Sequence, residues 1–347
     1  MKHHRMEDNN MALVIGYVGT SDLAGMLEED IVKFDVINIA FGHIHDSVIT
    51  WETPADIKDS LARIRVNNPK IKIVLSVGGW SAGGFSEAAM TEENREKVAN
   101  SAVALVTEYG LDGVDIDWEY PCFAVAGIAG DLRDKENFTL FLAKIREKLD
   151  ALNAGKMLTI AAGGDTYYTL NTNMAEAQKY LDYVQLMTYD LQGGFQKVSG
   201  HHASLYVGKT NLFDVCVDKT VRVFKEAGVP AEKLIVGVPF YSRQWSGIKG
   251  GKDGMGLEAE TVGGYGPGYA TLVEEFIDKN GYTRYWDDIG KAPYLFNGDT
   301  FISYDDEQGI EAKAEYVKAN GLGGLMFWEY QCDPTGTLLD CIYKNLK

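Results

Sequence analysis

Asp112-Gly113-Val114-Asp115-Ile116-Asp117-Trp118-Glu119-Tyr120-Pro121 is the stretch on which the reading of the whole chain turns. As a β-strand, with its period of two, it sends Asp115, Asp117 and Glu119 to one face and Val114, Ile116 and Trp118 to the other. A strand that buries both faces belongs in a closed parallel barrel, where the outer face packs on helices and the inner face lines a filled core. Side chains two residues apart on a strand lie roughly 6 to 7 Å from one another. Three carboxylates so placed cannot all stay ionised, because desolvation and like charge raise some pKa values and leave protons shared. Glu119, nearest the strand end and solvent, is the candidate acid. An oxygen-rich acidic row would also suit a hard cation such as Mg²⁺ or Ca²⁺.

Seven further β-rich runs surround this one: Leu13 to Tyr17, Val36 to Phe41, Ile73 to Gly78, Leu158 to Ala162, Tyr183 to Met187, Leu234 to Pro239 and Gly324 to Phe327. Amphipathic segments lie between most of them. Val98, Ala102, Leu105, Val106 and Tyr109 form one helical stripe that stops at Gly110, and Phe138, Phe141, Leu142, Ile145 and Leu149 form another. Eight alternations of strand and helix predict an α/β protein of the (β/α)8 TIM-barrel type. At 347 residues and 46% hydrophobic content the chain can bury a core of that size. A net charge of -17 argues against nucleic acid and anionic membrane as partners, since both require clustered cations. The opening residues 1–10 are polar and hold no apolar run of signal-peptide length, so the chain as written is expected in the cytoplasm, although a secreted enzyme stripped of its leader would read the same. Cys122, Cys216, Cys332 and Cys341 are too few and scattered for a disulfide framework, and no pair has zinc-ligand spacing.

Barrel enzymes build their sites at the C-terminal ends of the strands. Read in order, those ends carry Tyr17, then Phe41, then Ser76-Val77-Gly78-Gly79-Trp80, the acid row, Met187-Thr188-Tyr189-Asp190, Tyr241-Ser242-Arg243 and Trp328-Glu329. Each residue singly would pass as core packing. Together at one rim, flat aromatic faces and carboxylates are what recognition of a sugar requires.

The acid row resembles the D-G-x-D-x-D-x-E signature of the family 18 glycoside hydrolases, the chitinases and their relatives, and matches it at every specified position. In that family the glutamate protonates the glycosidic oxygen and the substrate's own N-acetyl carbonyl attacks the anomeric carbon. The resemblance implies hydrolysis of β-1,4 linkages in chitin or chito-oligosaccharides, with no metal or other cofactor, by an enzyme expected to be a monomer. It implies Glu119 as acid and then base, Asp117 as the group that orients the acetamido function, and Asp115, bonded to Ser76, as holder of the shared proton. Tyr189 would donate to the acetamido carbonyl. Trp328 would floor the cleavage subsite, with Phe41 beside it at the rim, and Met187, Asp190, Tyr17, Tyr241 and Arg243 would line it. Gly79 would sit with Trp80, whose ring would stack on the leaving-group sugar. By the same resemblance, cis peptide bonds are expected at Ala40-Phe41, Trp328-Glu329 and Glu119-Tyr120.

More than eighty residues separate the last two strands, with a glycine-rich run from Gly250 to Gly268 and strand-like runs Tyr282 to Trp286 and Thr300 to Tyr304. This resembles the small α+β insertion domain of many chitinases. The expected division is a tail at 1–10, a barrel at 11–240 and 306–347, and an insertion at 241–305. Departures from the family pattern are Phe195, where a tryptophan is common, and Ser242, where glycine is common. His201 and His202 are adjacent, a poor arrangement for zinc and a better one for loop packing. Two other functions remain open: a sugar-binding lectin on the same fold, and an endo-β-N-acetylglucosaminidase acting on N-glycans.

Overall fold

The computed structural model describes residues 12–208, 210 and 212–347, so the polar opening segment 1–10 lies outside the described residues. Eight strands form the barrel: β1 (Leu13–Gly19), β2 (Val36–His45), β3 (Lys72–Gly78), β4 (Gly113–Asp117), β5 (Met157–Gly163), β6 (Tyr183–Met187), β7 (Leu234–Pro239) and β8 (Gly324–Trp328). Each pairs in parallel with the next, and β8 pairs with β1, which closes the barrel. The (β/α)8 architecture expected from the strand count is the one observed.

The strand register decides what surrounds the innermost acid. Ser76 on β3 and Thr159 on β5 are the Cα partners of Asp115 on β4. Paired residues on neighbouring strands point to the same face, so two hydroxyls flank that carboxylate inside the barrel. On the outer face Trp118 is wholly buried and stacks on Phe85, with ring centroids 5.4 Å apart. The helix Asp134–Asp150 completes this layer by burying Phe138, Phe141, Leu142, Ile145 and Leu149. Burying such side chains is worth about 1.5 to 3 kcal/mol each, and Phe141→Ala would cost about 3 to 5 kcal/mol. The helix Glu92–Tyr109 starts at Thr91, whose hydroxyl accepts the Asn94 amide, and stops at Gly110, whose φ of 64° suits glycine.

A second, antiparallel sheet has five strands in the spatial order Gly264–Gly268, Tyr241–Trp245, Phe301–Ser303, Ala292–Phe296 and Thr283–Asp287. All five lie between β7 and β8 in the chain, and Trp245, Ile248, Tyr294, Phe296 and Phe301 form a separate small core there. The strand Ala292–Phe296 escapes a sequence reading because Pro293 stands inside it, and proline normally argues against a central strand. The bonds Ala40-Phe41, Glu119-Tyr120 and Trp328-Glu329 are cis. Among the described residues no helix is long and apolar enough to cross a membrane.

Candidate active site

A cavity of about 530 Å³ opens at the C-terminal rim of the barrel. Asp117 and Glu119 face into it from the end of β4, and Tyr189 and Asp190 from the end of β6. The remaining predicted lining residues present there are Tyr17, Phe41, Trp80, Met187, Tyr241, Arg243 and Trp328. Asp115, Ser76 and Gly79 are not part of the lining. Ser76 is wholly buried and bonded to Asp115, and the Gly79 amide donates to the Asp117 carbonyl at 3.0 Å. A Cβ on Gly79 would stand 2.8 Å from the Phe41 ring, so glycine is there to let that ring close down. Both residues stand behind the cavity surface rather than in its lining.

Asp115 is the deepest of the three acids and the best satisfied. Its Oδ2 accepts from Tyr17 at 2.8 Å and Ser76 at 2.7 Å, and its Oδ1 from Thr159 at 2.7 Å and Gln185 at 2.9 Å. The Gln185 amide is held in turn by Asn38, which donates to its Oε1 at 2.7 Å. Burial pushes the Asp115 carboxyl up, while the four donated bonds favour its anion. Asp117 has no such relief. Burial and the charges of Glu119 and Asp115 raise it well above the usual carboxylate range, and its Oδ1 is buried without a partner among the described residues. Burial likewise pushes Glu119 up to about 7, with Asp190 adding to the rise and the Tyr120 side chain opposing it. Burial thus raises all three acids toward their protonated forms, against four donated bonds at Asp115.

Trp328 lines the cavity, stacked on Phe41 with centroids 5.4 Å apart and tilted against Tyr17 at 5.5 Å. Asp190 forms a two-pronged ion pair with Arg243, both contacts at 2.6 Å, and its carboxylate is a third exposed to the cavity. Burial raises the Asp190 pKa, but the bonds from His202 and Arg243 outweigh it and hold the group well below the usual carboxylate range. The Arg243 guanidinium also lies 3.9 Å from the centre of the Tyr265 ring. The adjacent histidines part company: His201 Nε2 meets Asp287 at 3.1 Å and His202 Nδ1 meets Asp190 at 3.4 Å.

The cavity also contains residues that the sequence did not single out: Tyr120, Phe123, Val125, Ala161, Tyr167, Gly194 and Tyr265. Phe195, noted as a departure, stands at its edge and is 78% exposed. Tyr120 follows the acid row directly, but a period of two puts it on the face of Trp118, so the strand argument points it away from the cavity it lines. Phe123 and Val125 sit in a loop, and Tyr265 in a glycine-rich run, where no periodicity reports a facing direction.

The chain belongs to glycosyl hydrolases family 18, whose profile matches residues 14–333. It is 42% identical over 325 residues to Chitinase A1 of Niallia circulans, covering 86% of this chain and 46% of that protein. It is 30% identical to Chitinase B of Serratia marcescens, covering 94% of this chain and 82% of that protein. Among solved structures it is similar to a family 18 N-acetylglucosaminidase from Paenibacillus barengoltzii, at 52% identity and a TM-score of 0.93, covering 96% of this chain and all of that one. The chain thus spans about half the length of one curated relative and most of the other.

Proposed function

We propose that this chain hydrolyses β-1,4 linkages between N-acetylglucosamine units of chitin or chito-oligosaccharides with retention of configuration, the substrate's acetamido group acting as nucleophile. The observation that carries this reading is the acid row: Glu119, pushed up to about 7, stands at the rim beside Asp117, whose buried Oδ1 has no partner among the described residues. In the first step the Glu119 proton passes to the glycosidic oxygen while that oxygen's bond to the anomeric carbon breaks. The acetamido oxygen forms the new bond to the same carbon, giving an oxazolinium ion. Asp117 orients the acetamido N–H and offsets the positive charge, and Tyr189 donates to its oxygen, which is positioning and electrostatic work. Water then attacks the anomeric carbon, breaking its bond to the acetamido oxygen, and gives its proton to the Glu119 carboxylate.

Asp115, bonded to Ser76, holds the proton shared with Asp117, which leaves Asp117 its negative charge beside the acetamido group. Trp328 floors the cleavage subsite, Phe41 and Tyr17 support it, and Met187, Tyr241 and the Asp190–Arg243 pair complete its wall. Trp80, 47% exposed, offers a face to the leaving-group sugar. The division of the chain into barrel and an insertion at 241–305 is part of the same reading, the insertion supplying Arg243 and Tyr265 as one side of the cleft.

A second reading concerns the product. The similar Paenibacillus structure is described as an N-acetylglucosaminidase, which favours release of single residues as an alternative to chitobiose. Incubation with chitotetraose and with a high-mannose glycopeptide tests all of this. Chitobiose marks a chitinase, free N-acetylglucosamine marks the second reading, and a cut glycopeptide or no reaction at all refutes the proposal.

A further inference from the structure

Asp134 is a carboxylate with no exposed surface, and the proposed mechanism does not use it. Among the described residues its side chain accepts three bonds, and all three come from segments that build one wall of the cavity. Ser86 Oγ donates to Oδ1 at 2.8 Å; Ser86 lies six residues beyond Trp80, on the segment that carries that ring. The backbone amides of Cys122 and Asp131 donate to Oδ2 at 3.2 and 2.8 Å. These two residues are the ends of the loop that presents Phe123 and Val125 to the cavity. The third wall segment is tied at the same place: Lys135 Nζ donates to the Leu170 carbonyl at 2.9 Å, and Cys122 Sγ lies 3.7 Å from the Asn171 carbonyl, on the chain that carries Tyr167.

An ionised carboxylate suits this junction because both oxygens only accept. An amide of the same shape would turn an NH₂ group toward either the Ser86 hydroxyl or the two loop amides. Held loops of this kind cost less conformational freedom when a ligand is bound, so the wall is ready before the substrate arrives. Its side chains in the cavity, Trp80, Phe123, Val125 and Tyr167, carry no charge and offer flat or apolar faces. The ligand they fit is the face of a pyranose ring.

We propose that Asp134 is a specificity-determining positioning residue, the buried clasp that sets the leaving-group wall against Glu119 and so determines how well a sugar leaving group is held. The proposal rests on the glycosidase reading of the site. It distinguishes two sides of the cavity: the glycone side, built on barrel strands and the second sheet, does not depend on Asp134, and the leaving-group side does.

The test compares two substrates with the same glycone, chitotetraose and β-chitobiosyl fluoride, whose leaving group is too small to reach Trp80 or Phe123. For Asp134→Ala, kcat/KM on chitotetraose should fall roughly 10- to 100-fold, mainly through KM, while the fluoride stays within about twofold of wild type. Ser86→Ala, which removes one bond of three, should move both measurements in the same sense by less. If Asp134→Ala does not fold, Asp134→Asn and Ser86→Ala make the same comparison. Equal losses on both substrates, or no loss on chitotetraose, overturn the proposal. A wild-type enzyme that cleaves neither substrate sinks the glycosidase reading itself, and this inference with it.

Discussion

Arg243 grips Asp190 through two contacts of 2.6 Å, and the carboxylate so fixed is the charge that bears on Glu119 across the cavity. The acid and the ion pair therefore form one electrostatic unit, although they come from different strands and different parts of the chain. Glu119 is raised first by its burial and further by Asp190. A general acid works best with a pKa near the operating pH, which suits Glu119 to the role proposed for it.

The first prediction is that Glu119→Gln abolishes most turnover and spares binding. The amide keeps the shape of the side chain but has no proton to give. Loss of a general acid costs about 10² to 10⁴ in rate, which steady-state hydrolysis of chitotetraose would register, while titration calorimetry with the same oligomer should still show binding. Near-normal turnover would remove Glu119 from the mechanism.

A second prediction comes from the sign of the Asp190 effect. The acid must be protonated, so kcat/KM should fall as pH rises through about 7, the value to which Glu119 is pushed. In Asp190→Asn the negative charge is gone and Arg243 is left without its partner, and both changes stabilise ionised Glu119. Its pKa should drop and the alkaline limb of the pH profile move to lower pH. An unchanged or raised limb contradicts the coupling.

Much of this arrangement was legible in the sequence, for physical reasons. The eight strand positions could be read because barrel strands are short apolar runs, and the acid row because its alternation places three carboxylates on one face. The polar clasp around Asp115 was also written there, in Asn38, Thr159 and Gln185, each a polar residue with apolar neighbours on both sides in its strand. Only the register shows that they converge. The leaving-group wall was not legible: Phe123 and Val125 hang on a loop whose path depends on Asp134, a residue that reads in sequence as an ordinary acid in the first turn of a helix.

Protein stability should report the same acid. Glu119 has a pKa near 7 in the fold against 4.5 for a free side chain. The raised value means that the contribution of Glu119 is fully present below about pH 4.5 and is lost as pH rises through about 7. Glutamine does not titrate. The stability of Glu119→Gln relative to wild type should therefore rise between about pH 4.5 and 7, by on the order of 3 kcal/mol, and level off above. Urea denaturation at a series of pH values measures it, and a difference independent of pH would show that Glu119 is not desolvated.

The last prediction concerns stereochemistry, and it comes from the groups that flank the open space beside Glu119. Among the described residues Asp117 presents a buried oxygen without a partner, and the Tyr189 hydroxyl, facing the same cavity, has only the Met326 sulfur at 3.9 Å. Unpaired buried polar atoms are costly, and the cost is recovered when a ligand pairs with them. An acetamido group offers an N–H for the carboxylate and a carbonyl for the phenol, and held there its oxygen points back at the anomeric carbon. Attack by that oxygen inverts the carbon once and water inverts it again, so the first product seen by NMR should be the β-anomer. A thiazoline analogue of the cyclic intermediate should inhibit well below the KM of the substrate, since it pairs with both groups at once. Asp117→Asn should weaken that inhibitor far more than it weakens an oligomer lacking the acetyl group. An α-anomer as first product would require a water, not the acetamido oxygen, between Asp117 and Tyr189.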